Sequence, residues 1–309
     1  MIRRIPSNIS GESAAWIVRR SDERFENRIS DVVGFIIARG PGIRAVTLCG
    51  PTCSGKTTAS SMLASEFERR GRRAHIISID DYYFDRNVLI GRSLGAGPDG
   101  GDGKIDFDSP DTIDIEALTV TVSEIFERKC GRVEYPNYDF LDGTRKGSNV
   151  IETDGSDIFI FEGIQALYPQ VSALFAAFPT VSLFINVRGS LQIGHRIFNR
   201  NRIRLLRRLV RDYYRRSATA AETLSLWESV RENEDANIYP YTGKVDYYLD
   251  SLMDYDVVML KPYLEKILAE VPEDSGYALE AGAILETLRG LPVIDSSLIG
   301  EKSLYHEFV

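Results

Sequence analysis

The chain has 309 residues, a 43% apolar content and a formal net charge of −8 at neutral pH. That length holds one large domain or two small ones with a substantial core, and the acidic balance gives no general reason to expect nucleic acid. No apolar run reaches the roughly 18 residues of a membrane span, and the opening MIRRIPSNISGESAAW lacks the apolar stretch of a secretory signal.

Residues 1–40 read as a leading helix, with Phe25, Ile29, Val32, Val33, Ile36 and Ile37 at helical spacing. Ala45 to Cys49 is a short apolar run with β-branched members, as a buried parallel strand is. It leads into Gly50-Pro51-Thr52-Cys53-Ser54-Gly55-Lys56-Thr57, which has the form G-x-x-x-x-G-K-[ST]. Thr58 to Arg70 then puts Ala59, Met62, Leu63 and Phe67 at helical spacing. Strand, glycine-rich loop and helix form the context in which this motif binds nucleotide phosphates, and that context outweighs a ligand-free turn. Gly50 and Gly55 let the backbone curl its N–H groups toward phosphate oxygens. The helix N-terminus adds partial positive charge. Lys56 then reaches the β- and γ-phosphates, and the Thr57 hydroxyl reaches Mg²⁺.

A second strand is predicted at Arg73 to Ile79, followed by a glycine-rich loop over 91–104 whose Asp99 and Asp102 fail the EF-hand spacing. Asp111 to Arg128 reads as a helix, and Arg132 to Thr153 as a hairpin excursion. Further core strands are expected at Asp157 to Gly163, Ser182 to Val187 and Tyr255 to Leu260, and residues 261–309 as a helical appendage. Strands alternating with helices predict an α/β fold with a central parallel sheet. The three cysteines (Cys49, Cys53, Cys130) make no disulfide framework and fit a reducing, cytoplasmic setting. Cys53, inside the loop, reads as a small filler residue. The three histidines are too scattered to build a zinc site with them.

In open α/β sheets ligands sit off the carboxyl ends of the strands. Asp80 and Asp81 follow the second strand and Glu162 ends the third, so their carboxylates are candidates for holding Mg²⁺ or accepting a proton from an attacking hydroxyl. The run His195 to Arg216 contains nine arginines and one acid, Asp212. On a helix, Arg204, Arg207, Arg208, Arg211 and Arg215 form one stripe opposite Leu206, Leu209, Val210 and Tyr213. That pattern predicts a helix that packs with one face and presents guanidiniums on the other, with the nucleotide polyphosphate as the economical partner.

Taken together, GPTCSGKTT, ISIDDYY (77–83), FDSPDTID (107–114), YDFLDGTR (138–145), FIFEG (159–163) and RLLRRLVRD (204–212) resemble the uridine kinase and phosphoribulokinase family over about residues 43–262. The likeness is greatest to a bacterial-type branch of nucleoside kinase-like domains. Some members of that branch carry threonyl-tRNA synthetase-type editing domains ahead of the kinase; with about forty residues there, such modules are not expected here. The resemblance implies a P-loop NTPase fold with a lid excursion. It divides the chain into an N-terminal helical extension (1–40), a kinase domain (41–270) and a C-terminal helical tail (271–309). It also implies ATP and Mg²⁺ as cofactors, a nucleoside acceptor, a form compatible with a homo-oligomer, and no nucleic-acid or membrane partner.

Residue by residue, the resemblance makes Asp80 the acceptor of the 5′-hydroxyl proton and Asp108 the holder of the ribose hydroxyls. Tyr83 and Tyr138 line the acceptor pocket, with Arg145 on the same side. Thr57 and Glu162 hold Mg²⁺, with Asp80 beside it. Gly50 through Thr58 hold ATP. Arg208, Arg211 and Arg216 close over the phosphates. Gly143 stands where uridine kinases place a base-reading histidine, and Ala218 and Leu226 where pyrimidine nucleoside kinases have Arg and Gln. The leading expectation is therefore an ATP:nucleoside 5′-phosphotransferase with uridine or cytidine as default. The alternatives are another alcohol acceptor (another nucleoside, a sugar phosphate or a pantothenate-like alcohol) and a non-catalytic nucleotide-binding module.

Overall fold

The computed structural model describes residues 1–94, 109–128, 131–140 and 142–309. In chain order the elements are β1 (Ile2–Ile5), α1 (Gly11–Ala38), β2 (Ala45–Cys49), α2 (Lys56–Arg69), β3 (Ala74–Ser78) and α3 (Arg86–Leu94). Next come α4 (Ile115–Phe126), β4 (Arg132–Asp139), β5 (Thr144–Glu152), β6 (Ile158–Glu162), α5 (Pro169–Leu174) and β7 (Thr180–Asn186). The chain closes with β8 (Ser190–Ile193), β9 (Arg196–Phe198), α6 (Arg200–Arg216), α7 (Ala220–Asn237), β10 (Tyr247–Asp250), α8 (Asp256–Ala269) and α9 (Ala278–Leu288).

Five strands make a parallel sheet in the order β10-β7-β2-β6-β3. β2 and β6 are buried at every position, as strands covered by helices on both faces must be. The sheet with its flanking helices is the α/β arrangement that the alternation of elements predicts. Register fixes the site: Leu48, two residues before the glycine-rich loop, lies opposite Glu162, and Ser78 lies opposite the same Glu162 from the other side. The carboxyl ends of β2, β6 and β3 therefore bring Gly50, Glu162 and Asp80 to one rim. β4 and β5 form the antiparallel excursion expected over 132–153.

Two expectations are corrected. Tyr255 to Leu260 is not a strand: Asp256–Ala269 is α8, and the edge strand is Tyr247–Asp250. Every residue from Asp256 to Lys261 is buried, so the apolar residues of the run fall on every side and carry no helical period to read. The leading segment is also more than a helix. Its Ile2–Ile5 pairs in parallel with β8, which turns back antiparallel on β9 to form a small second sheet. α1 buries Phe25, Ile29, Val32, Val33 and Ile36 in the same core as Leu48, Leu63 and Leu183, and Leu304 and Phe308 from the far end of the chain join that core. Among the described residues no helix is long and apolar enough to cross a membrane.

Candidate active site

The loop from Gly50 to Thr57 curls between β2 and α2. A Cβ at Gly50 would lie 2.4 Å from the Ile185 carbonyl oxygen and 2.6 Å from Ser54 Oγ, so only glycine lets the chain pass there. Gly55 has φ +93°, a left-handed conformation that side chains disfavour. Cys53 also lies in the left-handed region (φ 56°) although it has a side chain, and it is buried, which fits a filler beneath the loop. The Lys56 ammonium donates to the Gly50 carbonyl at 2.9 Å and to that of Pro51 at 3.4 Å, so it is folded onto its own loop. Ser54 Oγ is buried and has no protein partner. The Thr58 amide, in the first turn of α2, donates to the Glu307 carboxylate at 3.1 Å.

Asp80 is the second residue of the short 3₁₀ turn Ile79–Tyr82. Its Oδ1 accepts from Gln165 Nε2 at 3.1 Å, and the same amide nitrogen reaches the Tyr83 hydroxyl at 2.6 Å. Glu162 is buried and accepts from Ser78 Oγ at 3.2 Å. Burial first, and then the Asp80 charge, push the Glu162 carboxyl up to about 7 against the opposing pull of Lys56. Glu162, whose ionisation burial and the Asp80 charge oppose, forms with Asp80 a pair of hard oxygen donors that a cation relieves. Mg²⁺ suits such a set because it takes one or two carboxylates and keeps several waters. Among the described residues no group of three or more histidines, cysteines, aspartates or glutamates is placed to hold a metal ion.

The neighbouring Asp81 does different work. Its Oδ1 accepts from the Tyr138 backbone N–H at 3.1 Å and so holds the hairpin, and burial raises its pKa. Tyr138 is buried with a hydroxyl that has no protein partner, and its ring meets those of Tyr83 at 5.6 Å and Phe140 at 5.1 Å. Arg145 is a strut: it donates to the Tyr82 and Tyr83 carbonyls and to Asp114 Oδ2, each at 3.0 Å. Those bonds tie β5 to the 80s turn. Gly143 has φ +69°, and a Cβ there would lie 2.8 Å from Arg86 Nε. Asp108 lies outside the described residues.

α6 corrects the expected guanidinium face. Arg204 and Arg207 are both 0% exposed. Arg204 meets Glu234 of α7, and Arg207 forks onto both oxygens of Asp256 of α8 at 2.8 Å. Their acids stand 30 and 49 residues away, so a local count of charges could not find them. The later arginines share Asp212, which accepts from Arg208 Nε at 3.0 Å and Arg211 Nε at 2.9 Å. Arg211 also reaches Thr52 Oγ1 at 3.3 Å, and Arg207 the Cys53 carbonyl at 3.3 Å, so this end of α6 is docked on the glycine-rich loop. Arg216 keeps 57% of its side chain exposed.

Sequence reasoning missed Gln165, Asp212 as a common counter-ion, and Glu307. Gln165 had a signal, three residues past Glu162 in the turn off the strand end. Glu307 had none, since nothing local ties the end of the chain to the loop.

A parallel sheet with a phosphate-type loop at the end of its central strand and acids at the ends of the next two strands on one side defines a P-loop kinase fold. Residues 45–258 match the model of the phosphoribulokinase / uridine kinase family, and the chain belongs to that family. A uridine kinase from Lactobacillus helveticus (strain DPC 4571) is 29% identical over 168 residues, 54% of this chain and 66% of that one. An enzyme named inorganic pyrophosphatase TTM2 from Arabidopsis thaliana is 25% identical over 213 residues, 64% of this chain and 26% of its own length. The matched part of the chain thus spans less than two thirds of these relatives. Among solved structures, a chain named as a fructose transport system kinase from Silicibacter sp. TM1040 superposes with a TM-score of 0.52 at 21% identity, covering 71% of this chain and 98% of that one. That likeness concerns the fold.

Proposed function

We propose that this chain transfers the terminal phosphate of ATP to the 5′-hydroxyl of a nucleoside, with uridine and cytidine as first candidates. The observation that carries the reading is the meeting of Lys56, Glu162 and Asp80 at one rim, next to an aromatic pocket whose Tyr138 hydroxyl is buried without a partner. In this reading the Gly50–Thr58 backbone, Lys56 and Arg216 bind the phosphates. Thr57 and Glu162, with Asp80, would hold Mg²⁺, which would neutralise charge on the transferring group. Asp80, oriented by Gln165, takes the hydroxyl proton, and Arg208 and Arg211 stabilise charge that develops in the transition state. Tyr83 and Tyr138 flank the acceptor, and Asp108 accepts from the ribose hydroxyls. The kinase body is 41–270, with 1–40 and 271–309 as additions. The uridine kinase name of a relative supports the acceptor class.

A second acceptor class has one observation in its favour. The Arg86 side chain fills the space above Gly143. A guanidinium there suits an acceptor with an anionic group as well as a base carbonyl.

The test is a phosphotransfer screen with Mg·ATP read by mass spectrometry, over the four common ribonucleosides, their 2′-deoxy forms and a set of sugar phosphates. The expected result is transfer to several ribonucleosides within about two orders of magnitude of one another, with the deoxy forms poorer. Transfer to a sugar phosphate alone overturns the nucleoside assignment. In the same assay Asp80→Asn is expected to lower turnover by about 10²–10⁴-fold, the contribution of a positioned general base. Asp81→Asn should act mainly on stability, because Asp81 holds the Tyr138 backbone. Full turnover in Asp80→Asn removes Asp80 from the role of base.

A further inference from the structure

The loop that should receive a polyphosphate already holds an anion of its own chain. Glu307 lies 249 residues beyond Thr58, yet its Oε2 accepts the Thr58 amide at 3.1 Å. That amide belongs to the first turn of α2, where N–H groups lack intrahelical partners and the helix dipole favours negative charge. The same position is where a P-loop offers its amides to phosphate.

The segment that carries Glu307 is anchored. Leu304 is fully buried, and its Cδ1 lies 2.5 Å from where a Cβ of Gly55 would be, so it covers the loop's left-handed turn. Phe308 is buried and lies under the Arg207 guanidinium at 4.8 Å from its ring centre. Ser303 Oγ bonds the Tyr255 hydroxyl at 2.7 Å and Asp22 at 3.0 Å. Arg215 of α6 donates to the His306 carbonyl at 3.3 Å. Apolar anchors on both sides therefore hold one carboxylate against the loop.

We propose that residues 303–309 form an autoinhibitory strap in which the Glu307 carboxylate stands in for a nucleotide phosphate. One amide cannot donate fully to both anions, and a polyphosphate beside a carboxylate adds repulsion. Nucleotide binding and the docked strap therefore exclude one another at Thr58. The apparent affinity for nucleotide falls by the fraction of molecules whose strap is lifted, so a strap docked nine times in ten weakens binding about tenfold. The proposal rests on reading the loop as a nucleotide site but not on the identity of the acceptor.

The experiment is calorimetric titration of ADP and Mg·ATP into the full chain, with no acceptor present, for wild type, E307Q and E307A. Hydrogen exchange over 303–309 is followed with and without nucleotide. Expected are a Kd about tenfold lower in E307A, an intermediate value in E307Q (which keeps an acceptor and loses the charge), and faster exchange of 303–309 when nucleotide binds the wild type. Equal or weaker binding in both variants overturns the strap, as does protection of 303–309 that nucleotide leaves unchanged or increases. Absence of nucleotide binding in all three chains overturns it together with the nucleotide reading of the loop. A chain that binds nucleotide as expected and phosphorylates no nucleoside leaves the strap standing and removes only the acceptor.

Discussion

The two halves of α6 use the same residue for opposite purposes. Arg204 and Arg207, in the first half, are fully buried and neutralised by acids from α7 and α8. Arg208, Arg211 and Arg216, in the second half, crowd around one carboxylate, Asp212, at the edge of the glycine-rich loop. In the first half, Arg204 and Arg207 each meet a buried acid from another helix. In the second, Arg208, Arg211 and Arg216 share the one carboxylate of Asp212 beside the glycine-rich loop. Sequence alone gives one stripe of identical side chains; the supply of counter-ions from elsewhere separates structural arginines from those available to a ligand.

The largest expected effect tests the buried half. Arg207→Ala leaves Asp256 charged and enclosed, and breaking such a pair costs about 3–5 kcal/mol. It also removes the donors to the Ser251 and Cys53 carbonyls. Thermal and denaturant unfolding should register the loss. Replacing both members, Arg207→Met with Asp256→Leu, should recover a large part of it, since no unpaired charge remains. An Arg207→Ala chain with unchanged stability would erase the distinction between the halves.

Next in size is Arg211→Ala. Under the phosphotransfer reading it should lower turnover by about 10²–10³-fold, as loss of one donor to a developing charge does, while the unfolding midpoint falls by less than in Arg207→Ala, because Arg208 and Arg216 still face Asp212. Nucleotide Kd should change less than turnover, because the charge in question appears in the transition state. A stability loss as large as that of Arg207→Ala would place Arg211 with the structural set.

How much could be read beforehand depended on whether the information was local. β2, the loop and α2 were legible because their motif fixes every residue within one βα unit. Glu162 and Asp80 were legible as strand ends, and the sheet's register then brings both to the loop. α8 was mistaken for a strand because a helix buried on all sides shows no amphipathic period. β1 was missed because four residues, IRRI, pair with β8 some 188 positions later, and Ile2 stays 54% exposed. The partners of Arg204 and Arg207 and the approach of Glu307 are tertiary facts of the same kind, and no window of sequence holds both members.

The smallest expected effect concerns pH, and it bears on the second half of α6. Burial alone would raise the Asp212 carboxyl, but the charges of Arg211, Arg208 and Arg216, with the Arg211 hydrogen bond, outweigh it and hold the pKa below the ordinary carboxylate value. A carboxyl depressed on folding stabilises the folded state above its unfolded pKa of about 3.9, and the contribution is lost as pH falls through the lower folded value. Wild type should therefore exceed Asp212→Asn in unfolding free energy by a constant margin near neutral pH. The margin should begin to shrink as pH drops below about 4, where the unfolded carboxyl takes up its proton, and should go on shrinking toward the folded value. Salt should reduce it only modestly, because the carboxylate is largely enclosed and screening acts mainly on exposed charges. Paired denaturation curves from pH 7 down to about 2.5 cover this window. A margin that stays flat across it would mean that the three arginines do not hold Asp212 as their common counter-ion, and the contrast between the halves of α6 would then rest on Arg204 and Arg207 alone.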